Sequence, residues 1–299
     1  MPRPAQRTPP PSGLIIVDKP ADWTSHDVVA RLRRLTGTRR VGHAGTLDPM
    51  ATGVLVIGVE KATRLLGHLA LTEKAYDATI RLGVTTTTDD AEGETIAVTP
   101  AEHVTREDVE KSAAALTGAI AQVPPKVSAI KVNGRRAYKR VRDGEDVELA
   151  ARQVTVHSFT IGAVRPGDAV VDVDASVICS SGTYIRSLAR DMGAALGVGG
   201  HLTALRRTRV GPYDLRSART LDELARECVI LPIADAVAAA FPRRDVGEHD
   251  ARGIAHGGRL PAVGLGAGGP VGVFGPDGGL LALVEERDGV ARPLAVFVP

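Results

Sequence analysis

The sequence is poor in cysteine and in aromatic side chains, and its charges almost cancel. Two cysteines in 299 residues leave no disulfide framework and no zinc site built on paired cysteines. We expect both thiols, Cys179 and Cys228, to be reduced and buried. Lys and Arg number 37 against 35 Asp and Glu, so a polyanion-binding surface must come from local clusters of basic residues.

Several common signals are also missing. No apolar run approaches the roughly 20 residues that span a bilayer, and residues 1–12 lack the hydrophobic stretch of a signal peptide. The sequence contains no P-loop and no H-E-x-x-H motif, and its histidines show no metal-ligand spacing. Gly264–Gly269 fits the letters G-x-G-x-x-G, but a proline and a strand-like run follow it, so a dinucleotide site is not expected. We therefore expect a soluble, cytoplasmic, metal-free protein.

The hydrophobic periodicity changes once along the chain. Up to about residue 240, strand-like runs alternate with helical spacing, and Ser25, Thr105 and Thr220 are candidate helix N-caps. Beyond Pro242, short apolar runs alternate with glycine turns, which is typical of a small all-β module. The sequence predicts a disordered tail over residues 1–12, an α+β domain over 13–242 and a β-barrel-like domain over 243–299.

One glycine-rich segment, Gly42–Gly53, presents a single carboxylate. Its glycines permit positive φ angles or close backbone approach to a ligand, and we expect Val41–Gly53 to be a structured loop rather than a regular element. Asp48 precedes Pro49, whose ring restricts the aspartate backbone towards extended conformations. A carboxylate held on a rigid loop can act as a nucleophile or base, although Gly-rich and Asp-Pro stretches are also ordinary turn chemistry.

Two further segments carry candidate side chains. Tyr184 and Arg186 follow a strand and a glycine turn, in the predicted first turn of a helix. A cation there opposes the helix dipole, so a carboxylate partner would explain Arg186 better than solvent does, although a surface arginine or a structural ion pair is the ordinary alternative. Tyr76, one of only four tyrosines, is a candidate for stacking on a nucleobase, although most strand tyrosines belong to the core or its rim.

Six short motifs follow one another along residues 13–215. They are Val17–Pro20, Gly42–Gly53, Glu73–Tyr76, Gln122–Pro125 with Ser128–Ala129, Ser181–Arg186 and His201–Arg207. In this order the chain resembles the TruB-type tRNA pseudouridine synthases. The resemblance implies a mixed-sheet pseudouridine synthase catalytic domain, with an RNA-binding insertion at residues 124–148 and a PUA-like RNA-binding domain after it.

The resemblance also implies an activity and site residues. A TruB-type enzyme isomerises uridine 55 in the T loop of tRNA to pseudouridine and needs no cofactor or metal. Asp48 matches the aspartate that attacks the nucleoside, at the sugar or at the base ring, and both routes stay open. Arg186 matches its cationic partner, and Tyr76 matches the residue that stacks on the target base. Substrate binding is implied for Lys19, His43, Tyr76, Asp90, Tyr184 and Leu205.

The implied partner is the T stem-loop of tRNA, and neither a protein partner nor more than a monomer is required. His43 matches the side chain that fills the vacancy left by a flipped base, and Leu205 matches an apolar wall of the pocket. Basic residues in three clusters are then expected to contact phosphates. The clusters are Arg31, Arg33, Arg34, Arg39 and Arg40; Lys131, Arg135, Arg136, Lys139, Arg140 and Arg142; and Arg206, Arg207 and Arg209.

Other functions fit parts of the sequence. A non-catalytic RNA-binding or RNA-folding protein would use the same basic clusters, but it would not need Asp48, Tyr76 and Arg186 together. A guide-RNA-dependent relative would share the catalytic motifs, and the insertion at 124–148 favours the stand-alone form. A glycoside hydrolase is disfavoured because no second carboxylate is evidently placed as the acid.

Overall fold

The computed structural model describes residues 10–125, 149–266 and 269–298, together with the backbone of 131–132 and 135–136. The described residues form two compact units. Unit 1 takes in those of Met1–Asp48, Val54–Ala70 and Val210–Pro299, and unit 2 takes in those of Pro49–Gly53 and Leu71–Arg209. Among the residues that the structure describes, no helix is long and apolar enough to cross a membrane.

Helices and strands are both abundant, which confirms the predicted α+β class. The α-helices are α1 (Ser25–Thr36), α2 (Leu66–Ala70), α3 (Arg106–Ala115), α4 (Ile185–Ala195), α5 (Leu221–Arg226), α6 (Ile233–Ala240) and α7 (Glu248–Ala255), and Glu60–Leu65 is a 3-10 helix. The strands are β1 (Gly13–Lys19), β2 (Val41–Ala44), β3 (Thr52–Val59), β4 (Lys74–Leu82), β5 (Val84–Thr86), β6 (Thr95–Val98), β7 (Gly118–Gln122), β8 (Lys131–Val132), β9 (Arg135–Arg136), β10 (Arg152–Pro166), β11 (Val171–Cys179), β12 (Gly200–Val210), β13 (Tyr213–Asp214), β14 (Leu231–Pro232), β15 (Arg243–Asp245), β16 (Leu260–Pro261), β17 (Pro270–Phe274), β18 (Leu280–Arg287) and β19 (Val290–Val296).

Unit 1 contains a hydrophobic core drawn from both ends of the chain. Its members come from β1, β3, α6 and the C-terminal strands, and they include Leu14, Ile16, Val54, Val56, Val237, Phe274, Leu283 and Phe297. Lys61 Nζ also donates a hydrogen bond to the Phe297 carbonyl at 2.7 Å, and Arg64 Nη1 donates to the Val296 carbonyl at 2.7 Å. The segments before Ala70 and after Val210 therefore stabilise each other.

Unit 2 is built on an antiparallel sheet. β7 pairs with β10, β10 with β11, and β11 with β4. Side chains alternate along β4, so that Tyr76, Ala78 and Ile80 are buried on one face. Helix α3 packs on β10 and helix α4 packs on β4, which covers the sheet with the helix that carries Arg186.

The C-terminal strands of unit 1 form a separate five-stranded sheet in the order β15-β17-β18-β19-β16. The predicted β-rich fold of this region is confirmed, but the region is not all-β, because helix α7 lies between β15 and β16. The buried Ile254 of α7 packs into the core of this sheet, beside Val271 and Val284. The division of the chain at residue 243 stays a prediction.

Two local predictions need correction. The segment 41–44 is a strand rather than part of a loop, since β2 pairs with β3 from Val41↔Val59 to Ala44↔Val56. Helix α1 is capped by Thr24 and not by Ser25. The Thr24 hydroxyl accepts the Asp27 N–H, and the Asp27 carboxylate accepts the Thr24 N–H. The caps predicted at Thr105 and Thr220 are confirmed as capping boxes.

Candidate active site

The loop that carries Asp48 is anchored by the start of helix α1. Ser25 is buried, its hydroxyl donates to the Leu47 carbonyl at 3.2 Å, and the Leu47 N–H donates back to the same oxygen at 2.9 Å. Gly45 has a φ of 81°, which an L side chain rarely adopts, and it turns the chain out of β2. Asp48 follows directly, half-buried, in unit 1. One serine therefore fixes the backbone next to the candidate nucleophile.

Gly53 shows why the other end of this loop needs glycine. Its φ is 98°, and a Cβ there would lie 2.2 Å from the Arg207 carbonyl oxygen. This close approach serves the parallel pairing of Thr52 and Gly53 with Arg206 and Arg207 of β12 in unit 2. The glycine thus permits close contact with the protein backbone, rather than with a ligand.

Lys19 and His43 also lie in unit 1. Lys19 is completely buried at the end of β1, and its ammonium donates to the Pro20 carbonyl at 2.9 Å and to the Trp23 carbonyl at 2.6 Å. These bonds tie down the turn before helix α1. His43 lies on β2 with its ring edge-to-face against His26, 5.5 Å between centroids. A role in substrate binding stays a prediction for both.

Tyr76 and Leu205 are buried on strands of unit 2. Tyr76 lies on β4 opposite Val177 of β11 and is 7% exposed, and Leu205 lies on β12 at 8%. Lys74 precedes Tyr76 on the same face of β4 and is also buried, with its ammonium donating to the Thr72 carbonyl at 2.9 Å. Burial, together with repulsion from Arg207, lowers the pKa of Lys74 to about 8.

Arg186 is buried in the first turn of helix α4 and is paired with a carboxylate. Its Nη1 donates to the Thr88 carbonyl at 2.9 Å and lies 3.4 Å from Asp90 Oδ2. The surface alternative is therefore wrong, because the side chain of Arg186 is 6% exposed. The pairing of Arg186 with Asp48, implied by the resemblance, stays a prediction.

Asp90 is held rigidly within its loop in unit 2. Its side chain accepts the Glu92 N–H at 3.1 Å and the Thr88 hydroxyl, and its carbonyl accepts the Thr86 hydroxyl at 2.8 Å. The preceding Asp89 has a φ of 60° and pairs with Arg190 at 3.3 Å. Burial raises the pKa of the Asp89 carboxyl, against the opposing charge of Arg190. Arg186 and Arg190, one turn apart on α4, thus clamp this loop.

Tyr184 is the N-cap of helix α4, and its backbone is bound by a residue that sequence reasoning did not single out. The Gln122 amide donates to the Tyr184 carbonyl at 3.1 Å and accepts the Tyr184 N–H at 2.8 Å. Gln122, Ser25, Lys74 and Arg190 were all missed as site residues. Lys74 lies in the motif Glu73–Tyr76 and Gln122 lies in Gln122–Pro125, so their place in these motifs could have marked them as candidates.

The basic clusters are less uniformly exposed than expected. In the first cluster Arg33, Arg34, Arg39 and Arg40 are all exposed. Arg33 nevertheless donates to the Val41 carbonyl at 3.1 Å, and Arg40 lies 3.6 Å from Glu60. In the third cluster Arg207 is 1% exposed, so it is not a surface phosphate contact. Its neighbour Arg209 pairs with Glu73. The side chains of the second cluster, like most of the insertion at 124–148, lie outside the described residues.

The remaining predictions concern cysteines, metals and the glycine-rich loop. Cys179 is buried as expected, whereas Cys228 is only partly buried. Gly264–Gly269 leads into strand β17 and not into a helix, as the sequence predicted. In this loop, the N–H groups of Val263 and Gly266 donate to the Glu286 carboxylate, at 2.9 and 3.4 Å. The described residues contain no cluster of three or more potential metal ligands.

Three protein-family models match the sequence. The sequence model of the TruB family pseudouridylate synthase N-terminal domain matches residues 33–185. The model of the tRNA pseudouridylate synthase B C-terminal domain matches 186–236, and that of the tRNA pseudouridine synthase II C terminus matches 241–298. Together these three models span most of the chain.

Curated relatives and solved structures are similar over nearly the whole length. The tRNA pseudouridine synthase B of Thermobifida fusca is 66% identical, over 95% of this chain and 98% of the relative. That of Streptomyces griseus is 60% identical, over 98% and 99%. A Cbf5-Nop10-Gar1 complex matches with a TM-score of 0.74 at 27% identity, over 96% of this chain and 85% of the other. An H/ACA RNP bound to a substrate RNA containing 2'-deoxyuridine matches with a TM-score of 0.71 at 27% identity, over the same shares.

These matches show that the protein is an isomerase of the pseudouridine synthase class. Within that class, the chain belongs to the TruB family of pseudouridylate synthases.

Proposed function

We propose that this protein converts uridine 55 in the T loop of tRNA to pseudouridine, with Asp48 as the attacking carboxylate. The observation that carries the proposal is the high identity to tRNA pseudouridine synthase B relatives over nearly the full chain. The anchored loop before Asp48 supports it, because an attacking group must be held in a fixed geometry. In the reaction the N1–C1' glycosidic bond breaks, a C5–C1' bond forms, the C5 hydrogen leaves to solvent as a proton, and N1 takes up a proton.

We assign the other site residues by their positions. Tyr76 stacks on the target base, and Arg186 provides the cation that favours an ionised nucleophile. His43 fills the vacancy left by the flipped base, and Tyr184 and Leu205 form further walls of the base pocket. Substrate contacts are also assigned to Lys19 and Asp90. The buried position of Arg186 supports its role, since a surface arginine would be a weak partner for an active-site carboxylate.

The decisive experiment is tritium release from tRNA transcripts labelled at uridine C5. We expect the wild type to release one equivalent per tRNA, and none from a transcript whose T-loop uridine is replaced by cytidine. Asp48→Asn keeps the size of the side chain but removes its charge, so we expect release to slow by at least about 10³-fold.

The matched control is Asp168→Asn, which removes an exposed carboxylate from a loop of unit 2 and should act like the wild type. Salt-sensitive tRNA binding by the wild type without tritium release would contradict the proposal. That outcome would leave a non-catalytic RNA-binding or folding protein.

We further propose that the protein acts as a cytoplasmic monomer that needs no protein partner. This sets it apart from the structural relatives named above, whose titles describe multi-component complexes. Full activity of the purified chain, which elutes at the mass of 31.2 kDa, is the expected result. Activity that appears only with added protein or guide RNA would contradict it.

A further inference from the structure

The side chain of Gln122 makes a two-point contact with the backbone of Tyr184. Its Nε2 donates to the Tyr184 carbonyl at 3.1 Å, and its Oε1 accepts the Tyr184 N–H at 2.8 Å. The orientation of the amide is unambiguous, because a backbone N–H only donates and a carbonyl only accepts. Gln122 is 2% exposed, so water does not compete for these bonds.

Tyr184 needs such a partner because of its place in the chain. It is the N-cap of helix α4 with extended angles, φ −104° and ψ 114°, and its own side chain makes no capping bond. Its carbonyl also accepts the first helical bond, from the Leu188 N–H at 3.2 Å. The Gln122 amide bonds it as a neighbouring antiparallel strand would, through one N–H and one carbonyl. The contact thus fixes the residue at which the helix begins and the direction of the Tyr184 side chain.

Gln122 also lies at the root of the segment that resembles the RNA-binding insertion. It is the last residue of β7 and pairs with Arg152, the first residue of β10, so the chain leaves the sheet at Gln122 and re-enters it opposite. The next carbonyl, that of Val123, accepts the Ser187 hydroxyl at 2.9 Å and Arg190 Nη2 at 2.8 Å. The first two turns of α4 are therefore bonded to this root.

We propose that Gln122 is a positioning residue, which sets the orientation of Tyr184 and of the helical turn that carries Arg186. It acts through the Tyr184 backbone and does not touch substrate. The inference rests on the proposed function, in which Tyr184 and Arg186 belong to the base pocket. Without this contact both side chains are misplaced. Because they act on the target base in the bound complex, the loss lowers kcat more than it raises KM.

The test compares two substitutions in the tritium-release assay. Gln122→Met preserves length but can neither donate nor accept, so kcat should fall roughly ten-fold to a hundred-fold while KM for tRNA stays within about three-fold. Gln122→Glu can replace the amide only when protonated, because the ionised carboxylate repels the Tyr184 carbonyl. Burial favours the protonated acid. We therefore expect its kcat relative to wild type to rise at least about five-fold from pH 8.5 to pH 6, whereas that of Gln122→Met should not change.

The pH-dependent rescue separates positioning from a merely structural role, and assays are run below the melting temperature of every variant. Ser187→Ala is the matched control: it removes a buried bond to the same root but leaves the Tyr184 backbone bonded, so its kcat should stay within about three-fold of wild type. If Gln122→Met keeps kcat within about two-fold while Asp48→Asn is inactive, this inference is overturned and the proposed function stands. No release by the wild type would overturn both.

Discussion

At the scale of single residues, Lys74 is a buried lysine whose pKa is strongly lowered. Burial and repulsion from Arg207 lower its pKa from 10.5 to about 8. An unfolded chain therefore binds one more proton at this residue between pH 8 and pH 10.5, so the free energy of unfolding rises with pH in that window. Burial also raises the pKa of Cys179 from 9.0 to about 11, which lowers stability as pH rises from 9 to 11. The two effects oppose each other above pH 9.

We predict that the wild type gains about 1 kcal/mol of stability relative to Lys74→Met between pH 8 and pH 9. Methionine keeps the buried apolar stem and removes the charge, so the difference between the two proteins isolates the lysine. Urea unfolding at the two pH values measures it. If the stability difference between the two proteins is the same at pH 8 and pH 9, the pKa of Lys74 in the folded protein is not near 8.

The sequence predicted those residues whose roles follow from their immediate neighbours in the chain, and it missed those whose roles depend on distant residues. Asp48 stands out because it is the single carboxylate among glycines, and a carboxylate partner for Arg186 follows from its place at a helix start. Gln122 could not be found in this way, because its partner Tyr184 lies 62 residues further along the chain. Lys74 was missed because its burial depends on strand pairing and not on neighbouring letters.

At the scale of elements, the start of helix α1 does two things with adjacent residues. Thr24 caps the helix, while Ser25 bonds both backbone groups of Leu47 next to Asp48. We predict that Ser25→Ala lowers stability by about 1–3 kcal/mol and kcat by about ten-fold, because two buried backbone groups lose their partner and the Asp48 loop loosens. Thermal unfolding and tritium release measure the two effects.

Thr24→Ala is the matched comparison for this prediction. It should cost about 1 kcal/mol through loss of the cap but leave kcat within about two-fold. Equal effects of the two substitutions on kcat would show that the whole helix, rather than the Ser25 contact, positions the Asp48 loop.

Elements with a local signal were predicted well, and those defined by distant partners were not. The capping boxes at Thr105 and Thr220 need only residues three apart, so their spacing was sufficient. At α1 both Thr24 and Ser25 are good caps, and only the Asp27 partner distinguishes them. Strand β2 was missed because three of its four residues fall in a glycine-rich motif, and pairing with β3 makes it a strand.

At the scale of the whole molecule, the core of unit 1 joins residues before Ala70 to the last strands of the chain. Phe274 is fully buried in this core, and the Arg243 guanidinium lies over its ring at 4.1 Å. We predict that Phe274→Ala costs about 3–5 kcal/mol and unfolds unit 1 as one cooperative body. Hydrogen exchange should show protection lost in β1 and β3 together with β17 and β18. Loss confined to residues 243–298 would contradict this.

The core of unit 1 is a part of the fold that local sequence patterns do not indicate, whereas the division at residue 243 stays a prediction. A change of composition after Pro242 is visible in the letters, and it led to a division there. The contacts that place Leu14 and Phe297 in one core are separated by most of the chain, and no local pattern encodes them. Composition shows where the residue pattern changes along the chain, whereas the compact units depend on which distant segments pack together.

The three-segment construction of unit 1 also has a consequence for synthesis on the ribosome. All residues of unit 2 have been translated once Arg209 is added, whereas unit 1 still lacks Val210–Pro299. Strands β1 and β3 are made early, but part of their core comes from Phe274 and Phe297, so this core stays incomplete until the C-terminal strands are made. Nascent chains should therefore expose β1 and β3 to chaperones for most of translation, although they are among the first strands made.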